Sequence, residues 1–165
     1  MEIRSVTQFL DYWDTLRGRT RRVVTCIPPE KVEWTYRPGV FTLGDIVRHL
    51  ATIERYMYAE TIAGRPSRYH GCGRELADGY EAVVEYFDRL DAEARTIIAA
   101  LTDDDLHRKC QTPAGAAITT WKWLRAMCEH EAHHRGQLYL MLGMLQVSTP
   151  PLYGLTSEQV RERSA

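Results

Sequence analysis

The sequence predicts an all-α fold: a four-helix bundle with crossover connections and short terminal and linking helical turns. Three observations support this class. Four long stretches, each of about 20 to 29 residues, repeat apolar side chains at steps of three and four. Almost no stretch shows the alternation of a strand. The 165 residues, 44% of them hydrophobic, are enough to build one core. We therefore expect a single domain over residues 1–165.

The first two helices are predicted from apolar periodicity and from their end signals. The first runs from Ser5 to about Ile27, where a pair of prolines stops it. The second begins at Thr42 as N-cap, with Asp45 in the spacing of a capping box, and ends near Gly64. A group of arginines near the end of the first helix is expected to form a solvated face: Arg17, Arg19, Arg21 and Arg22.

The third and fourth helices are separated by a short turn and an irregular segment. The third carries a regular apolar stripe over residues 76–101. Residues 102–105 are predicted to cap a helical turn, and residues 109–118 to form a loop or a minimal hairpin. Thr119 or Thr120 caps the fourth helix, which runs to about Gln146.

The ends and connections complete the predicted topology. Thr156 and Gln159 have the spacing that caps one last short helix. The connections between helices one and two and between helices three and four are long enough for crossovers. A simple up-down-up-down arrangement is therefore not required.

Composition excludes several function classes. The formal net charge is -1, whereas a nucleic-acid binder normally carries a basic excess. No apolar run approaches the roughly 20 residues of a membrane span, and the N-terminus lacks the pattern of a signal peptide. We expect a cytoplasmic protein with reduced, partly buried thiols and neither nucleic acid nor membrane as partner. The cysteines are scattered: Cys26, Cys72, Cys110 and Cys128.

Histidines carry the predicted chemistry. His130 and His134 are one helical turn apart, so both project from the same face and can share one metal ion. That face interrupts the apolar stripe of the fourth helix, where unpaired imidazoles would cost about 1–3 kcal/mol each. His49 shares the buried side of the second helix and is the predicted third ligand. Three imidazoles leave a fourth position open, the pattern of a catalytic site.

The sequence says less about the other three histidines and about which metal is bound. His133 is expected at the rim of the site, and His70 and His107 on the surface. Imidazole ligands suit several divalent transition metals. We expect Zn or Ni, with Fe, Mn and Cu as alternatives.

A second interpretation uses the same residues as an H-E-x-x-H motif, with Glu131 as the general base of a zinc-dependent hydrolase. The motif is short, and such enzymes normally place it beside a β-sheet, which the sequence does not predict. On a helix Glu131 lies about 100° around from His130, away from the expected metal position. A third alternative is a metal-stabilised bundle that acts as a sensor or binding module.

The sequence resembles the DinB-like (DinB/YfiT) superfamily of four-helix-bundle metalloproteins. The resemblance covers nearly the whole chain and rests on three segments: Gly44-Asp-Ile-Val-Arg-His49-Leu with Glu54 following, His130-Glu-Ala-His-His134-Arg-Gly-Gln137, and Pro150-Pro-Leu-Tyr-Gly-Leu155. It implies a divalent metal on His49, His130 and His134, and a homodimer packed through bundle helices. Characterised members include thiol-dependent S-transferases and isomerases that use a low-molecular-weight thiol.

From residues and resemblance together, we expect a metal-dependent enzyme, a transferase or hydrolase, acting on a small molecule. The metal would activate a bound water or a thiol as nucleophile. The catalytic residue is not assigned; Glu131 and Gln137 are the candidates, and both, with Glu54, are candidates for orienting the ligands. The substrate is a small molecule, with a low-molecular-weight thiol as a candidate co-substrate.

Overall fold

The computed structural model describes residues 2–164 and confirms the four-helix bundle. Its helices, in chain order, are α1 (Val6–Val24), α2 (Leu43–Ile53), a π-helical turn (Glu54–Tyr58), α3 (Ala59–Ile62), α4 (Tyr80–Ala99), α5 (Thr120–Met144) and the short α6 (Ser157–Arg163). The segments from α2 to α3 follow without interruption and form one rod, residues 43–62. Three 3₁₀ turns, Pro29–Lys31, Arg74–Leu76 and Asp104–His107, lie in the connections. None of the helices in the described residues is long and apolar enough to cross a membrane.

Local sequence signals set most helix ends. The capping box of α2 is confirmed: the Thr42 hydroxyl accepts from the Asp45 N–H at 2.9 Å, and the Asp45 carboxylate accepts from the Thr42 N–H at 2.9 Å. The same pattern caps α6 at Thr156. The third long helix starts later than predicted, at Tyr80, because Gly79 adopts φ +84° and interrupts the helical backbone just before it.

The predicted hairpin is present after α4. Lys109–Gln111 (β1) pairs antiparallel with Ala117–Thr119 (β2), and Thr119 leads directly into α5 as its N-cap residue. The C-terminus of α5 closes at Met144, where Gln146 takes a left-handed conformation with φ 58°. The Val147 N–H then reaches the Leu142 carbonyl at 3.0 Å, the closure of a Schellman motif.

The helices form a square in which α1 contacts α4 and α5, and the rod contacts the same two helices. Contacts between side chains and backbone give the directions: α1 is antiparallel to α4, the rod is antiparallel to α5, and the rod is parallel to α4. The topology is therefore up-down-down-up. Arg17–Asp91 and Arg21–Asp88 relate α1 to α4. His49–His130 and Thr61–Trp123 relate the rod to α5. Arg48–Ala77 and Arg55–Glu93 relate the rod to α4 and the residues just before it.

The connection that crosses the length of the bundle is residues 63–79, between the rod and α4. The other two connections, between α1 and the rod and between α4 and α5, each join antiparallel helices. Each therefore crosses a diagonal of the square at one end of the bundle, the first at the opposite end from the second. Residues 63–79 run back along the rod: the Arg68 N–H bonds the Tyr56 carbonyl at 2.7 Å. The buried Arg48 guanidinium holds the later part, donating to the carbonyls of Cys72 and Ala77 at 2.9 Å each. This return path places a loop beside α2.

Candidate metal centre

Three histidines from two helices converge between the rod and α5. His49 comes from α2, and His130 and His134 come from successive turns of α5. The Nε2 atom of His130 lies 3.1 Å from Nε2 of His49 and 3.1 Å from Nε2 of His134. His49 and His134 are each only 8% exposed. The structure therefore brings together the three residues that the sequence predicts as metal ligands.

Hydrogen bonds on the far side of two rings fix their orientation. His134 Nδ1 lies 2.7 Å from Gln137 Oε1. An amide oxygen can only accept, so Nδ1 carries the proton and Nε2 presents a lone pair to the other two rings. His49 Nδ1 lies 2.9 Å from the Tyr69 hydroxyl, whose oxygen can accept a hydrogen bond from Nδ1–H in the same way. His130 Nδ1 is buried without a hydrogen-bond partner in the described part of the chain.

The environment keeps the three imidazoles neutral. Burial, with the neighbouring His134, lowers the pKa of His49 to about 4. Burial, with the other imidazoles, lowers the pKa of His130 to about 3. Burial also lowers the pKa of His134, although the Gln137 contact opposes the shift. Neutral imidazole is the form that binds a metal.

The arrangement fits a transition metal. Ligands at about 2.0–2.1 Å from a tetrahedral ion lie roughly 3.3 Å apart, close to the Nε2 separations of this site. Gln137 and Tyr69 supply the outer hydrogen bonds that metal-ligating histidines need. In the described residues, no fourth histidine, cysteine or carboxylate joins the group. The site could therefore hold an ion with one position open to a small molecule.

The low pKa values of these histidines predict that the free energy of unfolding of the metal-free protein falls as the solution becomes acidic. Between the ordinary pKa of about 6.5 and the folded value of about 4, His49 binds a proton only in the unfolded chain, so stability falls as pH falls through that range. After discounting for solvent screening, we expect a loss on the order of 1 kcal/mol from this ring between pH 7 and pH 5.

The measurement is urea unfolding at both pH values with a chelator present. The His49→Ala variant should lose about that much of the pH dependence. An unchanged pH dependence in His49→Ala would contradict the prediction.

Of the other residues that the sequence marked, Gln137 is at the site and two glutamates are not. Gln137 contacts His134, and its amide nitrogen lies 3.3 Å from the exposed His133, which the sequence placed at the rim. Glu131 is 0% exposed and accepts a hydrogen bond from Thr20 of α1. Glu54 also points towards α1. Neither carboxylate hydrogen-bonds to a ring of the three histidines in the described residues.

These glutamates belong to a buried ion network around Arg17. The Arg17 guanidinium lies 2.9 Å from Glu54, 2.9 Å from Asp91 and 3.7 Å from Glu131. Arg17 is 4% exposed, so the prediction that it lies on a solvated face was wrong. The reason is that α1 turns this position towards acids from three other segments. Burial and the nearby carboxylates raise the pKa of Glu54 well above its ordinary value.

The π-helical turn helps to place one member of this network. The Ala59 N–H bonds back to the Glu54 carbonyl, one residue farther than in an α-helix. Tyr58, at the end of the turn, brings its ring to 6.1 Å from the His130 ring, centre to centre. The sequence analysis did not foresee this turn, because the apolar spacing continues across it.

Sequence reasoning also missed two aromatic residues at the site, Phe41 and Tyr69. Tyr69 lies in the crossover connection and Phe41 directly before the N-cap of α2. Neither position belongs to a periodic stripe, so no sequence signal marked them. Cys128 is buried and does not belong to the histidine group, and burial raises the pKa of its thiol to about 12.

An apolar groove lies on another face of the molecule. It has a volume of about 570 Å³ between α1 and α5, lined by Phe9, Tyr12, Leu16, Cys128 and Tyr153 among others. None of the three clustered histidines lines it. The candidate metal centre is therefore a separate site.

Fold and site define a four-helix-bundle protein with a candidate three-histidine metal centre. The DinB superfamily model matches residues 12–138, and the chain belongs to that superfamily. A DinB-like protein from Bacillus cereus has a similar structure, with a TM-score of 0.76 and 16% identity, over 90% of this chain and 97% of that one.

Two further solved structures share the fold. YfiT from Bacillus subtilis, described as a probable metal-dependent hydrolase with an unusual four-helix bundle topology, aligns with a TM-score of 0.67 and 15% identity over 87% of this chain and 89% of its own. A mutant of the mycothiol-dependent maleylpyruvate isomerase aligns with a TM-score of 0.65 and 10% identity over 81% of this chain and 60% of its own. In the comparison with curated proteins, none matches significantly.

Proposed function

We propose that this protein binds one divalent transition metal through His49, His130 and His134 and is a metal-dependent enzyme acting on a small molecule. The observation that carries the proposal is the convergence of three neutral Nε2 atoms, with separations of 3.1 Å along two edges. The family and two named relatives support the same class, since one is a probable metal-dependent hydrolase and the other depends on a thiol.

A metal in this site would lower the pKa of a bound water or hold a thiol as the thiolate at neutral pH. The chain's own residues prepare the ligands: Gln137 holds the His134 tautomer, and Tyr69 orients His49. No cysteine belongs to the histidine group in the described residues. A thiol nucleophile would therefore come from a co-substrate.

The test is turnover by the metal-loaded protein. We expect Zn- or Ni-loaded protein to hydrolyse 4-nitrophenyl acetate, or to transfer a low-molecular-weight thiol to 1-chloro-2,4-dinitrobenzene, faster than the chelated protein. The triple His49/His130/His134→Ala variant should lose this turnover. Equal rates for the triple variant and the loaded protein would contradict the proposal.

The zinc-hydrolase alternative predicts a different result for Glu131→Gln. If Glu131 is the general base, this variant keeps its metal and loses its activity. Because the Glu131 carboxylate contacts Thr20 and lies near Arg17, we expect metal content and turnover to stay within about twofold of the wild-type values. Metal analysis and the two assays above decide between the alternatives.

A non-enzymatic sensor would need a closed coordination sphere. In the described residues, no fourth histidine, cysteine or carboxylate joins the three-histidine group, which favours an enzyme. Cytoplasmic location and a homodimer packed through bundle helices stay predictions.

A further inference from the structure

Phe41 is an exposed aromatic side chain at the mouth of the histidine triad. Its ring centre lies 5.4 Å from that of His49 and 6.4 Å from that of His134. Despite these contacts the residue is 40% exposed. An apolar ring that stays in water beside two candidate ligands offers a surface for an apolar group bound at the same place.

The loop that carries Phe41 is fixed. At its ends, the Leu43 N–H bonds the Trp34 carbonyl at 3.0 Å. Inside it, the Thr35 hydroxyl lies 3.1 Å from the carbonyl oxygens of Arg37 and Phe41. A ring on a fixed loop loses little conformational entropy when a ligand packs against it.

The groups that hydrogen-bond to the triad carry no fixed charge. Besides contacting one another, the three rings hydrogen-bond to Tyr69 and Gln137. In the described residues, no carboxylate, lysine or arginine hydrogen-bonds to them. Among the groups in direct contact with the three rings, the chain therefore offers a charged substrate group no opposite charge, whereas Phe41 offers a neutral planar group an aromatic surface.

We propose that Phe41 is a specificity-determining residue and that the substrate is an uncharged electrophile with an aromatic ring beside its reacting centre. The aromatic ring packs against Phe41 while the reacting centre faces the triad. This inference rests on the proposed function, because it needs a metal-dependent site at the three histidines.

The experiment compares two probes with the same chelating group, benzohydroxamate and acetohydroxamate, on the cobalt(II)-loaded protein. Dissociation constants are read from the visible absorption of the cobalt. The ratio of the two constants isolates the effect of the phenyl ring. We expect Phe41→Ala to reduce the preference for benzohydroxamate about tenfold and Phe41→Tyr to keep it.

Tyr36→Ala is the matched control, since Tyr36 is an exposed aromatic residue of the same loop, 52% exposed, with no ring contact to the histidines in the described residues. It should keep the wild-type preference. If Phe41→Ala loses cobalt, Phe41→Leu supplies the comparison, and it should also lose the preference. An unchanged preference in these variants overturns the inference while leaving the metal site intact. Wild-type protein that takes up no cobalt overturns the proposed function and this inference with it.

Discussion

His130→Ala is expected to reduce the metal content of the purified protein from about one ion per chain to near zero. His130 is the central ligand candidate, because its Nε2 lies 3.1 Å from both other Nε2 atoms. Its Nδ1 is buried without a hydrogen-bond partner in the described residues, so the metal-free protein should lose only about 1 kcal/mol on truncation. The metal-dependent stabilisation, about 2.7 kcal/mol at an ion concentration 100 times Kd, should disappear.

Mass spectrometry of metal content and thermal unfolding with and without zinc measure both effects. His107→Ala serves as control, since His107 is an exposed histidine of a connecting turn. It should keep the ion and the zinc-dependent shift in Tm. A His130→Ala variant that keeps one ion per chain would remove the basis of the proposed site.

Among the substitutions considered for their effect on stability, Arg17→Met is expected to lower the free energy of unfolding most. It removes the cation from contact with Glu54 and Asp91, 2.9 Å away each, and leaves the buried carboxyl group of Glu54 close to the buried Glu131 with no cation between them. Breaking a buried ion pair on one side costs about 3–5 kcal/mol. For a chain of this length that corresponds to a fall in Tm of roughly 10 °C.

Arg21→Met provides a matched control one turn along the same helix. Arg21 pairs with Asp88 at 2.7 Å, but both side chains are substantially exposed to solvent, so we expect a loss below about 1 kcal/mol. Urea unfolding of the two variants at pH 7 gives the comparison. Equal losses of stability would show that the Arg17 network does not behave as a buried charge cluster.

The helices and their caps could be predicted from the sequence because their causes are local. Apolar residues at steps of three and four define a buried face, and Thr42 with Asp45 satisfies the free amides at the start of α2. The pairing of His130 with His134 follows from the same helical geometry. The start of α4 was missed because it depends on the backbone conformation of Gly79.

The buried ion network could not be predicted, because charged side chains on a helix are normally solvated. Arg17 lies inside because acids from the rod, α4 and α5 meet it there. Its sequence neighbourhood, rich in arginine, suggests the opposite environment. Only the packing of four helices around one point decides which of these arginines is buried.

The sequence by itself determined the helical class, most helix boundaries and the identity of the three clustered histidines. The tertiary structure decided the up-down-down-up topology, the return path of residues 63–79 and the two aromatic residues at the site. Tyr69 reaches His49 only because that connection runs back along the rod. Helix periodicity is encoded within a few neighbouring residues, whereas these contacts join segments that are distant in the chain, so they exist only once the bundle has packed.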